Sequence, residues 1–357
     1  MTKILVIQNK RIGDVLISSV IANNIKKIFP DAHVTYFVYD YTTGVLENNP
    51  NIDRIIAVND QELKKIPKLL KTIRQVRKEE FDIIFDSYAK FQSRMLCLFS
   101  GARYRIGFKR KHKELKLPFY THPINFLDDK SQVCGKAIED RLNIINSVFP
   151  LQDPDDRPKI YLTEEEKKYD RLANTKKPVL MFTVLGSTLP KSMPFDYVAN
   201  LIDYITSNYN VSLLFNYAPH QKEDALKIYE LCKDKDQIDI DIYEDSIRGF
   251  IKLMNQCDLL IANEGGTVHI TKALNKPTFT IYSPYIEKGD WNSFEDGLTH
   301  ESIHLLDEKP HLFEEFTRES RKVIEENPEA LYRELTPEMI LQKLEPFLEY
   351  HFKNAKK

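Results

Sequence analysis

At 357 residues, 42% of them hydrophobic and 29% charged, the chain is too long for one small core and has the apolar content of a soluble globular protein with two domains. A formal net charge of −2 gives no bulk attraction to nucleic acid, and the four cysteines, Cys97, Cys134, Cys232 and Cys257, form no CxxC and no metal-ligand spacing with histidine, which predicts reduced structural thiols. The N-terminal apolar run is only residues 4–7, and no stretch approaches the roughly 18 apolar residues of a membrane span, so a cytoplasmic protein is expected, with peripheral membrane contact as its limit.

Residues 4–8 read as a strand, 15–29 as a helix and 34–39 as a strand. A short strand at 55–58, a long polar-faced helix at 61–78 and a strand at 83–86 follow, then helices near 91–99 and 138–148. This alternation predicts a parallel sheet covered by helices. Pro150, Pro154 and Pro158 mark a domain boundary or an exposed connection, and 161–177 is a charged stretch that starts with a helix capped at Thr163, with Glu166 three residues on. The alternation then restarts: strands at 179–184, 211–216, 238–243, 259–262 and 278–282, helices at 195–207, 221–232 and 246–256. A helix at 336–351 leads into a basic tail. The expected organisation is a Rossmann-like domain over 1–160, a second over 161–335, and a separate helix and tail over 336–357.

Five stretches are candidates for chemistry. Arg11, Ile12, Gly13 and Asp14 lie between the first strand and helix, but one glycine does not make the GxGxxG of a dinucleotide site. Asp14 reads either as the N-cap of that helix or as a general base at the mouth of the sheet. Gly186, Ser187 and Lys191 lie between a strand and a helix; Lys191 reads as a phosphate-binding point charge or as a solvated loop lysine. Tyr217, His220 and Gln221 follow another strand and are nucleoside candidates or an ordinary turn. In the run from Asn263 to His269 a strand ends in Glu264-Gly265-Gly266-Thr267 and a helix begins. Such a turn lies at the carboxyl end of a parallel sheet, where free helix N–H groups favour an anion. Glu264 and His269 add side chains for hydroxyls or phosphate, His269 being otherwise a structural histidine. Arg103, Arg105, Lys109, Arg110, Lys111, Lys113 and Lys116 make a basic stretch, read as solvated surface or as a patch for an acidic substrate. No nucleic-acid module accompanies it.

In this order the motifs resemble the ADP-heptose:lipopolysaccharide heptosyltransferases, glycosyltransferase family 9, over roughly residues 1 to 285. The carriers are Gly13-Asp14-Val15 after the first strand, the strand FDIIFD at 81–86, GARYRIGF at 101–108, the Gly186–Ser187 turn with Lys191, and the turn from Asn263 to His269 followed by Ala273-Leu274 and Pro277. The resemblance implies an α/β protein of GT-B architecture, two Rossmann-like doubly wound domains facing a central cleft. The N-terminal domain takes the acceptor and the C-terminal domain the nucleotide sugar, in an inverting reaction without a metal ion. It places the general base at Asp14 and the donor site at Lys191, Glu264, Gly266 and His269. Glu264 and Gly265 stand where the family has Asp and Thr or Ser, and the family often has Glu for the ribose near Gln221.

In that chemistry Asp14 takes the acceptor proton, while Lys191 and the Gly265–Gly266 helix start stabilise the departing diphosphate. Ser187 and Thr267 join the donor site. Arg11, Arg105, Lys109 and Arg110 are expected to hold an anionic lipid-linked oligosaccharide acceptor at the cytoplasmic face of the inner membrane. The Asp239-Ile240-Asp241 spacing reads as the surface face of a strand rather than as a metal motif. Closure about the proline-rich connection would exclude water. The donor expected is ADP-heptose, with no cofactor. The alternatives are a relative using a UDP-hexose and a non-catalytic nucleotide-sugar binder.

Overall fold

The computed structural model describes residues 1–109, 117–128, 134–173, 175–313 and 328–357. They divide into two compact units, the first of Met1–Thr163 with Gly289–Ser293, the second of Glu164–Lys288 with Phe294–Lys357.

In the first unit the strands β1 (Lys3–Ile7), β2 (His33–Tyr39), β3 (Arg54–Val58), β4 (Ile83–Asp86), β5 (Tyr104–Phe108) and β6 (His122–Ile124) form one sheet in the order β3-β2-β1-β4-β5-β6. Every pairing is parallel, so all carboxyl ends share one edge. The helices are α1 (Ile12–Ile28), α2 (Asp60–Leu63), α3 (Ile66–Lys78), α4 (Phe91–Ser100) and α5 (Lys136–Asn146). The expected helix over 61–78 is two helices. Asn59 caps α2 by accepting from Gln61 and Glu62 N–H, and Pro67 opens α3, where a missing N–H costs nothing. On one face of the sheet Leu5, Ile7, Phe37 and Ile84 pack with Ile73 and Val76 of α3 and Leu96 of α4. Burying each such side chain contributes about 1.5–3 kcal/mol.

The proline-rich stretch belongs to this unit rather than standing between units. The Asn24 amide of α1 donates to the Asp155 carbonyl and accepts from the Asp155 N–H, and Lys27 donates to the Asp153 carbonyl. The charged stretch after Tyr161 starts with a helix as expected, α6 (Glu164–Lys167) directly after Thr163, and it stays short because it has no buried residue and so no apolar face to extend it.

The second unit repeats the topology. Strands β7 (Val179–Thr183), β8 (Ser212–Asn216), β9 (Ile238–Asp239), β10 (Leu259–Asn263), β11 (Thr278–Ile281) and β12 (His300–Ile303) are ordered β12-β11-β10-β7-β8-β9, all parallel. Read outward from its first strand, each sheet has the order 3-2-1-4-5-6, with a switch point between its first and fourth strands. Helices α7 (Phe195–Asn208), α8 (Lys222–Leu231), α9 (Ile247–Gln256) and α10 (Gly266–Ala273) connect the strands, and α11 (Leu305–Glu308) follows the last of them. The strand expected over 238–243 stops at Asp239, whose Oδ1 accepts from the Asp241 and Ile242 N–H groups and turns the chain. The C-terminal helix, Pro337–His351, is not a separate segment. Its Ile340, Leu344, Phe347 and Leu348 lie in the core with Phe279 and Ile303. Among the described residues no helix is long and apolar enough to cross a membrane.

Candidate active site

Asp14 lies at the switch point of the first sheet, where β1 ends and α1 begins. It is not the N-cap. The helix starts at Ile12, Arg11 is the cap, and Asp14 is in the third helical position, its Oδ2 reaching back to the Arg11 N–H at 3.2 Å. Its other oxygen, Oδ1, accepts from Arg141 of α5 at 2.9 Å, an ion pair across 127 residues of sequence. Arg141 is buried and also donates to the Ala137 carbonyl, so the charge facing Asp14 is held rigidly. The carboxylate is half-buried and thus both oriented and reachable. Arg11 is exposed beside it.

Of the basic stretch, Lys111, Lys113 and Lys116 lie outside the described residues. Arg105 donates to the Phe119 and Ala102 carbonyls and braces the segments that lead into β5 and β6. Lys109 is exposed after β5, and Arg110 lies outside the described residues.

At the switch point of the second sheet, between β7 and β10, Lys191 Nζ donates to Glu264 Oε1 at 3.1 Å. Glu264 Oε2 accepts from the Ser283 N–H at 3.1 Å. Only 7% of Glu264 is exposed; burial pushes its carboxyl above the ordinary range, and Lys191 and the Ser283 amide pull it back. The loop carrying Lys191 is braced. Gly186 N–H donates to Ser192 Oγ, Ser192 Oγ to the Thr188 carbonyl, and the buried Tyr332 hydroxyl to the Lys191 carbonyl at 2.9 Å. A Cβ on Gly186 would stand 2.1 Å from the Lys191 carbonyl oxygen, so only glycine permits the loop to close. Ser187 is exposed on this loop.

Gly265 caps α10 with φ of +157°, a conformation side chains rarely adopt, and the space above it is open to 4 Å. The first N–H groups of α10, from Gly266 and Thr267, have no carbonyl within the helix to accept them. They lie half-buried beside the Lys191–Glu264 pair, and His269 is on the same first turn. Backbone donors, a helix dipole and one cation here have the chemistry to hold an anion. The nucleoside candidates are not brought to it alike. The Gln221 amide is used at both ends, donating to the Gly186 carbonyl at 2.7 Å and accepting from Ala218 N–H at 2.9 Å, so it splices two loops rather than standing free for a ribose. Tyr217 is buried and stacked on Tyr243 at 4.6 Å, while His220 is exposed. Arg141, Ser283 and Tyr332 carried no signal in the sequence, because each contributes through a contact with a residue far along the chain.

Two 3-2-1-4-5-6 sheets, one with a carboxylate and the other with a lysine–glutamate pair beside a glycine-capped helix start at the switch point, define a protein of two doubly wound units. Solved structures share the fold. The glycosyl transferase family 9 structure from Veillonella parvula matches with a TM-score of 0.77 at 19% identity, covering 97% of both chains. The structure of E. coli heptosyltransferase WaaC with ADP matches at 0.71 and 14% identity, covering 97% of this chain and 100% of that one. The architecture is therefore GT-B. The glycosyltransferase family 9 (heptosyltransferase) model matches residues 69–306, so the chain belongs to this family and is a glycosyltransferase. Among curated relatives, lipopolysaccharide heptosyltransferase 1 of Campylobacter coli is 25% identical over 296 residues, 78% of this chain and 83% of the relative.

Proposed function

We propose that the protein is an inverting glycosyltransferase that moves a heptose from ADP-heptose to a lipopolysaccharide core acceptor without a metal ion. The observation that carries the reading is the Lys191–Glu264 pair beside the open, glycine-capped start of α10, in a chain of this family. The acceptor hydroxyl oxygen attacks the anomeric carbon as the bond to the diphosphate breaks. The hydroxyl proton passes to Asp14, and the bonding electrons leave with the diphosphate. Charge then grows on that group, where Lys191 and the Gly266 and Thr267 N–H groups stabilise it. Ser187, on the loop after β7, and His269, on the first turn of α10, complete the donor site. Such an acceptor is lipid-linked, which makes the protein cytoplasmic and peripheral on the inner membrane face, with Arg11 and Lys109 toward the acceptor.

The nucleotide is supported by relatives, whose names include a heptosyltransferase solved with ADP. Glu264 and Gly265, in place of the family's Asp and Thr or Ser, and the locked Gln221 alter the donor contacts and support a second reading, a family relative that uses another nucleotide sugar such as a UDP-hexose. A thermal-shift panel of ADP, UDP and GDP with their sugar conjugates decides between them, since a ligand of the native state raises its apparent stability. Stabilisation by UDP and none by ADP would end the heptose reading. Asp14→Asn is expected to lower transfer by about 10²–10⁴-fold with nucleotide stabilisation unchanged. Transfer at the wild-type rate would remove Asp14 from the role of base.

A further inference from the structure

The carboxyl ends of β1 to β4 carry a second constellation that the proton transfer does not use. Tyr39 closes β2, and its ring centroid lies 6.1 Å from Tyr41 and 6.5 Å from Tyr88, which follows β4. The Tyr39–Tyr88 pair is edge-on at 77°. Lys10, after β1, has its Nζ 6.0 Å from the Tyr39 centroid and 4.0 Å from Asp60 Oδ2, just past β3. The cluster is not sealed into the core: Tyr39 is buried, Tyr88 half-buried and Tyr41 48% exposed.

Its polar groups are incomplete. Asn9 is fully buried, and among the described residues neither its Oδ1 nor its Nδ2 has a well-formed hydrogen bond. Asp60 Oδ1 is in the same position. Both side chains are close enough to the Tyr39 hydroxyl to act on its acidity, and the Asp60 charge also reaches Tyr41 and Tyr88. Native proteins leave few such atoms without a partner, and a bound molecule is one way to supply it. An amide and a carboxylate oxygen together ask for hydroxyl groups. The carboxylate repels phosphate, and the ammonium groups of Lys64 and Lys10, 3.3 and 4.0 Å from Asp60 Oδ2, already answer it. Aromatic faces suit the C–H face of a sugar ring. The place is next to the reaction: Arg11, whose charge reaches Tyr41, is held by its amide N–H to Asp14.

We propose that Tyr39, Tyr41, Tyr88, Asn9 and Asp60 form an acceptor subsite for an uncharged pyranose ring, recognised by its hydroxyls and C–H face rather than by charge. The inference rests on the transferase reading and names the substrate chemistry of its acceptor half. It moves recognition away from the basic stretch and onto residues that no glycine turn or charge run marks.

Saturation-transfer NMR on the full chain tests it, with methyl α-glucopyranoside, methyl α-galactopyranoside and methyl α-mannopyranoside as probes. Ring C–H protons of at least one probe are expected to be saturated, and excess inorganic phosphate is expected to leave the signal in place. Tyr41→Ala and Asp60→Asn should each weaken the binding about tenfold. Nucleotide thermal shifts on the same variants report the fold and the donor half separately. No saturation of any probe, displacement by phosphate, or full binding in both variants would overturn the subsite. Sugar binding in a protein that no nucleotide stabilises would instead defeat the transferase reading and leave the subsite standing.

Discussion

Asp14 and Glu264 are carboxylates at equivalent switch points with opposite surroundings. Asp14 is half-buried and faces the buried Arg141, whose pair fixes the direction of one oxygen. Arg141 is thus a positioning residue. Arg141→Ala is expected to lower kcat while leaving donor KM in place, and Arg141→Lys to recover part of the loss, because an ammonium keeps the charge without the fork. Steady-state kinetics on both variants check this, and an unchanged kcat in Arg141→Ala would show the pair to be dispensable. Glu264 is different, because burial raises its carboxyl above the ordinary 4.5. A raised native value means that the folded state holds this proton more tightly than the unfolded chain. Its contribution is therefore full below the ordinary value and is lost as pH rises through the raised one. Glu264→Gln should accordingly be more stable than the parent at about pH 8, with the gap closing toward about pH 4.5. Melting temperatures of both proteins at the two pH values measure it, and a constant offset would mean that Glu264 does not titrate in this window. The variant is also expected to bind nucleotide more weakly, since Lys191 loses the group that aims it.

Among the elements, the loop from β7 to α7 is the most exacting. Gly186→Ala puts a methyl group where the Lys191 carbonyl stands, so the loop must shift at a cost of about 1–3 kcal/mol. Chemical denaturation should show the loss, and the nucleotide thermal shift should vanish with it. A Gly186→Ala protein that still responds to nucleotide would show that the loop tolerates the displacement. The C-terminal helix is a test of packing alone. Leu344 is fully buried, and Leu344→Ala is expected to cost about 2–5 kcal/mol by the same measurement. The elements hardest to read from sequence were those whose patterns are weak. Strand β6 is three residues around a proline, β12 begins His-Glu, and the strand character of β5 is masked by Arg105. Helix α1 begins three residues earlier than its apolar pattern, because the Asp14 carboxylate in its first turn accepts from the Arg11 N–H, a cap that periodicity does not register.

At the scale of the molecule, two units of like topology each keep their own buried interior, and the cysteines are distributed between them. All four thiols are buried, and burial raises Cys232 and Cys257 to about 12. Since the thiolate is the reactive form, the native protein should react slowly with a thiol reagent at neutral pH and release all four only on unfolding. A single fast thiol would refute this. The α/β class, the repeat of the strand–helix alternation and the glycine turns that mark Asp14, Lys191 and Glu264 are all legible in the amino-acid order. Those features are local: a period of two or 3.6 residues and the backbone freedom of glycine are written in neighbouring positions. It took the folded chain to show that Arg141 meets Asp14, that Lys191 meets Glu264 under Tyr332, that Gln221 is spent on the backbone, and that Tyr41 and Tyr88 gather on Tyr39. Strand order sets which carboxyl ends become neighbours, and a pairing across 127 residues leaves no periodic trace in the residues that make it.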